Sequence, residues 1–341
     1  MTTGILLINL GTPDGCDRKA VRRYLREFLS DPRVIHLPWV IRWPLVNLLI
    51  TPFRTKSSTE AYHSIWTDRG SPLLLHSLEL AEKVQHQLGE DFLVKLAMRY
   101  GKPSIKKAVE ALANSNCEKI IIVPLFPQYS SAATGSAIEE TLNQLKGQWN
   151  FSDIVIKADF YQHPGFINAQ AQLIRNALET FKPDLLLFSY HGLPDSHVAK
   201  SDAPGLQCPR PASCPPIGNN NRHCYRAQCY ATSRALAAAL GLTEENYQVS
   251  FQSRLGKTPW IKPYTDQILS ELAKQGIKKI ALCCPSFVAD CLETIEEIGI
   301  RAREQWIAEG GEALALIPCV NASPLWISGL CDLIQEHTIR D

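Results

Sequence analysis

"DLLLFSYHGLP" (Asp184–Pro194) decides how this 341-residue chain folds. Leu185–Ser189 is a continuous apolar run without alternation, the pattern of a strand buried on both faces. It breaks into a Gly-Leu-Pro turn and leaves His191 at the strand's carboxyl end, where open α/β sheets bind ligands. "KKIALCCPSFVADCLETIEEI" (Lys278–Ile298) repeats the design. Its strand ends near Pro285, and a helix is expected to follow, carrying Asp290, Glu293 and Glu297 at i, i+3 and i+7 on one face. A line of acids aimed at an imidazole could carry a cation. The plainer alternative is a structural histidine and solvated acids favoured by the helix dipole. Pro285, Phe287 and Val288 stand just before the acids and favour a greasy cavity, where carboxylates are costly unless protonated or metal-bound.

Similar apolar runs occur at Ile5–Leu10, Lys119–Phe126 and Lys279–Cys284, each followed by turn residues and a helical pattern. Strands alternating with helices predict parallel sheets covered on both faces. "GILLINLGTP" (Gly4–Pro13) echoes "LLLFSYHGLP", and "EKIIIVPLFPQYSSAATGSAIEE" (Glu118–Glu140) echoes the segment from Lys278. The expected architecture is α/β: two similar doubly wound parallel-sheet lobes, 1–150 and 151–341, with the active-site cleft between their strand ends.

With 35 basic and 34 acidic side chains the net charge is +1, which gives no electrostatic basis for nucleic-acid binding. No run of eighteen uncharged apolar residues occurs, and the start "MTTGILLINLGTP" lacks a basic n-region or cleavage site, so a cytoplasmic protein is expected. Eleven cysteines, two adjacent in an expected strand, suit a reducing compartment.

Two segments interrupt the βα pattern. "VIHLPWVIRWPLVNLLITPF" (34–53) carries two tryptophans, three prolines and one arginine. It reads as a mobile hydrophobic lip over a large flat ligand, as a peripheral membrane contact, or as a buried core helix with prolines at its ends. "CPRPASCPPIGNNNRHCYRAQC" (208–229), within an insertion at 205–229, spaces Cys208, Cys214, Cys224 and Cys229 by five, nine and four residues. A loop with so little to bury needs a staple, and thiolates on a metal centre supply one. The irregular spacing favours a [2Fe-2S] cluster, with structural zinc as the alternative.

"NLGTP" (9–13), "PLFPQYS" (124–130), "SYHGLP" (189–194), "FQSRLGKTPWIKPYT" (251–265) and "CPSFVADCLETIEEI" (284–298) together resemble the ferrochelatase family, in family order from the first strand to the last helix. The resemblance implies insertion of Fe2+ into protoporphyrin, the closing step of haem synthesis, on two α/β lobes. It places the active-site histidine on His191 and the essential acid on Glu293. Asp290 and Glu297 match further acids, and Tyr129, Trp260 and Leu10 fall in the porphyrin cleft. Animal members carry a cysteine in "PQYSC" and C-terminal cluster ligands, whereas this chain reads "PQYSSAA" and ends "CDLIQEHTIRD". The internal cysteine block resembles instead the insertion of some bacterial members.

The chemistry of metalation agrees. Two pyrrole protons must leave, a hydrated cation must be stripped and a stiff macrocycle bent. A neutral imidazole accepts a proton near neutrality, and carboxylates hold the metal or carry the second proton. Phe287, Trp260 and the 34–53 lip are candidates to grip the ring, and Arg99 with Tyr100 could meet a propionate. A tetrapyrrole carrier without turnover, or a chelatase for another metal or for coproporphyrin, are the alternatives.

Overall fold

The computed structural model describes residues 2–150, 152–201, 208, 213–256 and 258–336. They form two compact units, one from Met1–Phe126, Ser130–Asp159 and Leu330–Asp341, the other from Pro127–Tyr129 and Phe160–Gly329. Each unit is built on one four-stranded parallel sheet.

In the first unit the strands are β1 (Thr3–Thr12), β2 (Phe92–Gly101), β3 (Lys119–Pro124) and β4 (Asp153–Ile156), in the order β2-β1-β3-β4. The second holds β5 (Leu185–His191), β6 (Tyr247–Gln252), β7 (Lys279–Cys283) and β8 (Ala313–Leu316), in the order β6-β5-β7-β8. The order is the same in both, so the expected pair of similar α/β lobes is present.

The four apolar runs read from the sequence are the central strands, β1, β3, β5 and β7. Burial on both faces explains their character. Leu6 and Ile8 of β1 pack with Ile105, Val109 and Leu112 of the helix Ile105–Ala113. Ile5 and Leu7 are fully buried on the opposite face, which the helix Pro72–Leu88 helps to cover. In the second unit Leu185 and Leu187 meet Leu269, Leu272 and Trp306, while Leu186 and Phe188 are buried on the other side.

The 34–53 segment is helical but not core. It comprises the helix Trp39–Pro44, a π-helical stretch Leu45–Ile50 and the start of the helix Thr51–Ile65. Val46 and Thr51 are its buried residues, whereas Trp39 is 66% and Phe53 76% exposed. The buried-helix alternative therefore fails: these apolar side chains face outward. Among the described residues no helix is long and apolar enough to cross a membrane.

Exposure fixes what each tryptophan contributes to stability. Trp39→Ser should change unfolding free energy by less than about 0.5 kcal/mol, whereas Trp306→Ala, fully buried against β5, should cost about 3–5 kcal/mol. Urea unfolding of the two variants measures the contrast, and a large loss at Trp39 would place its ring in the core.

Candidate active site

Parallel pairing carries β5 through Tyr190↔Phe251 and His191↔Gln252, and the Gly192 N–H closes the ladder on the Gln252 carbonyl at 2.8 Å. Gly192 has to be small: a Cβ there would lie 2.8 Å from that carbonyl and 3.2 Å from the Trp260 ring. His191, half-buried, is therefore delivered at the strand's carboxyl end.

Its peptide is held by side chains. The His191 N–H donates to Ser286 Oγ at 3.0 Å, and its carbonyl accepts from Tyr225 Oη at 2.7 Å. Nδ1 stands 2.6 Å from the Gly192 carbonyl. A carbonyl can only accept, so Nδ1 carries the proton and Nε2 keeps its lone pair in the neutral ring. Trp260 and Phe287 flank the imidazole, with ring centroids 6.4 and 6.3 Å away.

The three acids do not form the expected line. Asp290 precedes the helix, which spans only Leu292–Ile295, and Glu297 opens a π-helical segment, Glu297–Ala302. The wider π turn breaks the 3.6-residue spacing on which the expectation rested. Asp290 is buried and occupied: it accepts from Asn321 Nδ2 at 2.7 Å, Thr294 Oγ1 at 3.1 Å and the Cys319 N–H at 3.2 Å. Glu293 is half-buried, and the thiol of Cys291, the residue capping its helix, hydrogen-bonds to it.

Glu297 is gripped by Ser253, whose N–H reaches Oε1 at 2.8 Å and whose Oγ reaches Oε2 at 2.5 Å. Burial raises its carboxyl above the ordinary range, as does Glu293 nearby, against the Ser253 hydrogen bonds and the neighbouring His191 and Arg301. Ser253 meets Glu297 with its backbone at φ +66°, in the left-handed region. Gln252 Nε2 donates to the Glu293 carbonyl at 2.7 Å, tying the acid-bearing turn to β6. A cavity of about 210 Å3 lined by Ser253, Arg254, Asp266, Glu297 and Arg301 opens beside this carboxylate.

Tyr129 belongs to the same unit, half-exposed, its N–H bonded to Gln228 Oε1 at 2.7 Å. Leu10, Arg99 and Tyr100 belong to the other. Leu10 is half-buried near the end of β1. Arg99 pairs with Asp31 at 2.7 Å and donates to Ser136 Oγ at 2.6 Å, and the fully buried Tyr100 gives its hydroxyl to Asp31 at 2.8 Å. Burial opposes charge on Asp31, but donors from Ser136, Arg33 and Tyr100, with the Arg99 charge, hold its carboxyl below the usual range. Arg99 and Tyr100 thus build an internal ionic network, and Tyr100 presents no surface to a ligand.

Cys214, Cys224 and Cys229 are buried and Cys208 is exposed. Cys224 and Cys208 act electrostatically on Cys214, as do Cys224 and Cys214 on Cys229. Arg226 Nη1 donates to Cys214 Sγ at 2.9 Å. Burial pushes the Cys214 and Cys229 thiols up, against the Arg226 guanidinium, which favours thiolate; four cysteines fit an iron–sulfur ligand set in their chemistry. Among the described residues, however, no three His, Cys, Asp or Glu side chains stand as a group able to hold a metal, in this segment or beside His191.

Tyr225, Ser253, Gln252, Ser286 and Cys291 hold the site together, and sequence reading singled out none of them. Ser253 and Ser286 lie inside the quoted motifs, and Tyr225 inside the cysteine block, so position beside a motif was the available signal.

The ferrochelatase family model matches residues 2–338. A ferrochelatase of Legionella pneumophila (strain Paris) is 54% identical over 338 residues, covering 99% of this chain and 100% of the relative. One of Coxiella burnetii (strain CbuK_Q154) is 50% identical over 333 residues, covering 98% of this chain and 93% of the relative. Among solved structures, SirB from Bacillus subtilis with Fe3+ superposes with a TM-score of 0.55 at 12% identity, covering 98% of this chain and 95% of SirB. CbiX, described as the terminal enzyme for siroheme biosynthesis in denitrifying bacteria, gives 0.50 at 12%, covering 98% and 99%. These two likenesses establish the fold.

Glu297 makes stability depend on pH. Its carboxyl titrates near 4.5 when unfolded and higher when folded, so the folded state holds the proton more tightly. The resulting stabilisation is complete below pH 4.5 and is lost as pH rises through the folded value. Glu297→Gln should therefore flatten the decline of Tm above pH 4.5 in calorimetric scans, while an unchanged profile would assign the decline to other groups.

Proposed function

Because the chain belongs to the ferrochelatase family, we propose that His191 and Glu297 accept one pyrrole proton each and that Glu293 receives the iron. The protein is a porphyrin metal chelatase, a lyase that takes Fe2+ and a porphyrin as substrates in haem synthesis. The observation that carries the residue roles is the contact of His191 Nδ1 with the Gly192 carbonyl, which leaves Nε2 as the ring's available nitrogen at a strand end walled by Trp260 and Phe287.

Metalation replaces two N–H bonds by metal–nitrogen bonds and releases two protons. Nε2 takes one as the ring deforms. Glu297, raised by burial, can pass a proton on to the solvent-open cavity beside it. Glu293, less committed than Asp290, is the better metal ligand. Asp290, with both oxygens occupied, shapes the turn that presents Glu293. Trp260, Phe287 and Tyr129 offer apolar surface to the macrocycle.

We favour protoporphyrin IX as substrate and protohaem as product. The exposed segment 34–53 holds a single arginine among apolar side chains, and coproporphyrin carries twice as many propionates as protoporphyrin. The same segment supports peripheral contact with a membrane surface. Eleven cysteines, Cys283 and Cys284 adjacent among them, support a reducing, cytoplasmic setting.

Cys208, Cys214, Cys224 and Cys229 would hold a [2Fe-2S] cluster, with the exposed Cys208 closing on the other three. When bound, it would supply a covalent staple for the insertion. No step of metalation involves it.

Anaerobic Fe2+ insertion with protoporphyrin and coproporphyrin tests the reaction and substrate together. His191→Ala should lose at least about 100-fold in kcat with porphyrin binding retained, and Glu293→Gln should lose most activity. Full turnover by the alanine variant would remove His191 from the chemistry. A second measurement addresses the cysteines: protein made with ample iron should carry about two irons and two sulfides per chain. Colourless protein with one zinc would refute the cluster.

A further inference from the structure

We propose that Tyr225 and Ser286 are positioning residues that aim His191, anchoring its peptide from behind. The proposal rests on the reading of His191 as proton acceptor. Inside a sheet, neighbouring strands fix the orientation of a peptide. At His191 the β7 ladder has ended, its last pair being Phe188↔Cys283, and both backbone groups go to side chains, the N–H to Ser286 and the carbonyl to Tyr225. The two anchors come from separate segments, Ser286 from the turn after β7 and Tyr225 from the first position of the helix Tyr225–Leu240.

The imidazole cannot swing independently of this peptide. Its Nδ1 is bonded to the next carbonyl, Gly192, so a tilt of the turn is carried to Nε2. Tyr225 is well suited to the task. Its ring is buried, its long side chain has few rotatable bonds, and the helix behind it is packed almost throughout its first three turns. The same helix end is held by Arg226, whose Nη2 donates to the Lys262 carbonyl at 3.2 Å, two residues from Trp260. The helix that follows Cys224 and contains Cys229 thus bears on the wall and the base of the site together.

The test uses the purified full chain, with anaerobic Fe2+ insertion into protoporphyrin and porphyrin binding followed by tryptophan fluorescence. Tyr225→Phe removes one hydroxyl and Ser286→Ala another. Each should lower kcat about 10- to 100-fold, the scale of a misaimed catalytic group, with KM for porphyrin within about twofold. In a His191→Ala background neither substitution should lower the residual rate further. Normal kcat in both variants, with His191→Ala inactive, overturns the anchoring and leaves the proton acceptor standing. An active His191→Ala overturns the proton-acceptor role and the anchoring with it. Parallel loss of binding and kcat makes the pair ordinary core residues and also overturns the proposal. If Tyr225→Phe fails to fold, Ser286→Ala decides: reduced kcat at unchanged KM sustains the anchoring, and normal kcat ends it.

Discussion

A parallel strand satisfies its backbone groups through its neighbours, but the residue that leaves the sheet to do chemistry forfeits those partners. His191 stands at that limit. Its N–H and carbonyl, beyond the last β7 pair at Phe188↔Cys283, need donors and acceptors of defined geometry. Meeting that need brings Ser286 from the turn after β7 and Tyr225 from the helix that Cys224 caps and that contains Cys229. Gly192 is held small by the neighbouring carbonyl. The surroundings of the imidazole follow from one peptide having to be satisfied outside a sheet.

The acids obey a related rule. A carboxylate in a poorly hydrated site persists only with donors or with a proton. Asp290 takes three donors and becomes structural. Glu297 takes Ser253 twice and is still pushed toward its neutral form. Glu293, between them in sequence, has the fewest commitments. Three acids within eight residues are therefore sorted into different tasks by their hydrogen bonds.

How much of this could be read from the chain depended on the range of the interaction involved. The central strands β1, β3, β5 and β7 were legible because burial on both faces demands unbroken apolar runs. The edge strands were not: β6 alternates as "YQVSFQ", β4 and β8 are four residues long, and β2 carries Lys95 and Arg99. His191 was visible from its turn. The line of acids was misread because helical periodicity was extended across a cap and a π turn that local composition does not encode. Arg99 and Tyr100 looked like ligand contacts, but Asp31 claims them from 68 and 69 residues away. Tyr225 meets His191 across 34 residues, a pairing that only the fold creates. The outward-facing 34–53 segment stayed ambiguous because apolar composition alone does not say which side faces water.

The cysteine block joins the short helix Asp195–Ala199 to the helix Tyr225–Leu240, both in one unit. Its length is nearly free to change, since closing a longer loop costs only logarithmically more. In evolutionary terms this is a port. Cys208 and Cys214 can be acquired, exchanged or discarded there without disturbing a strand register, whereas Cys224 caps the next helix and Cys229 lies inside it. The port nonetheless ends one residue before Tyr225, so even a neutral change of loop length is read by the residue that touches His191.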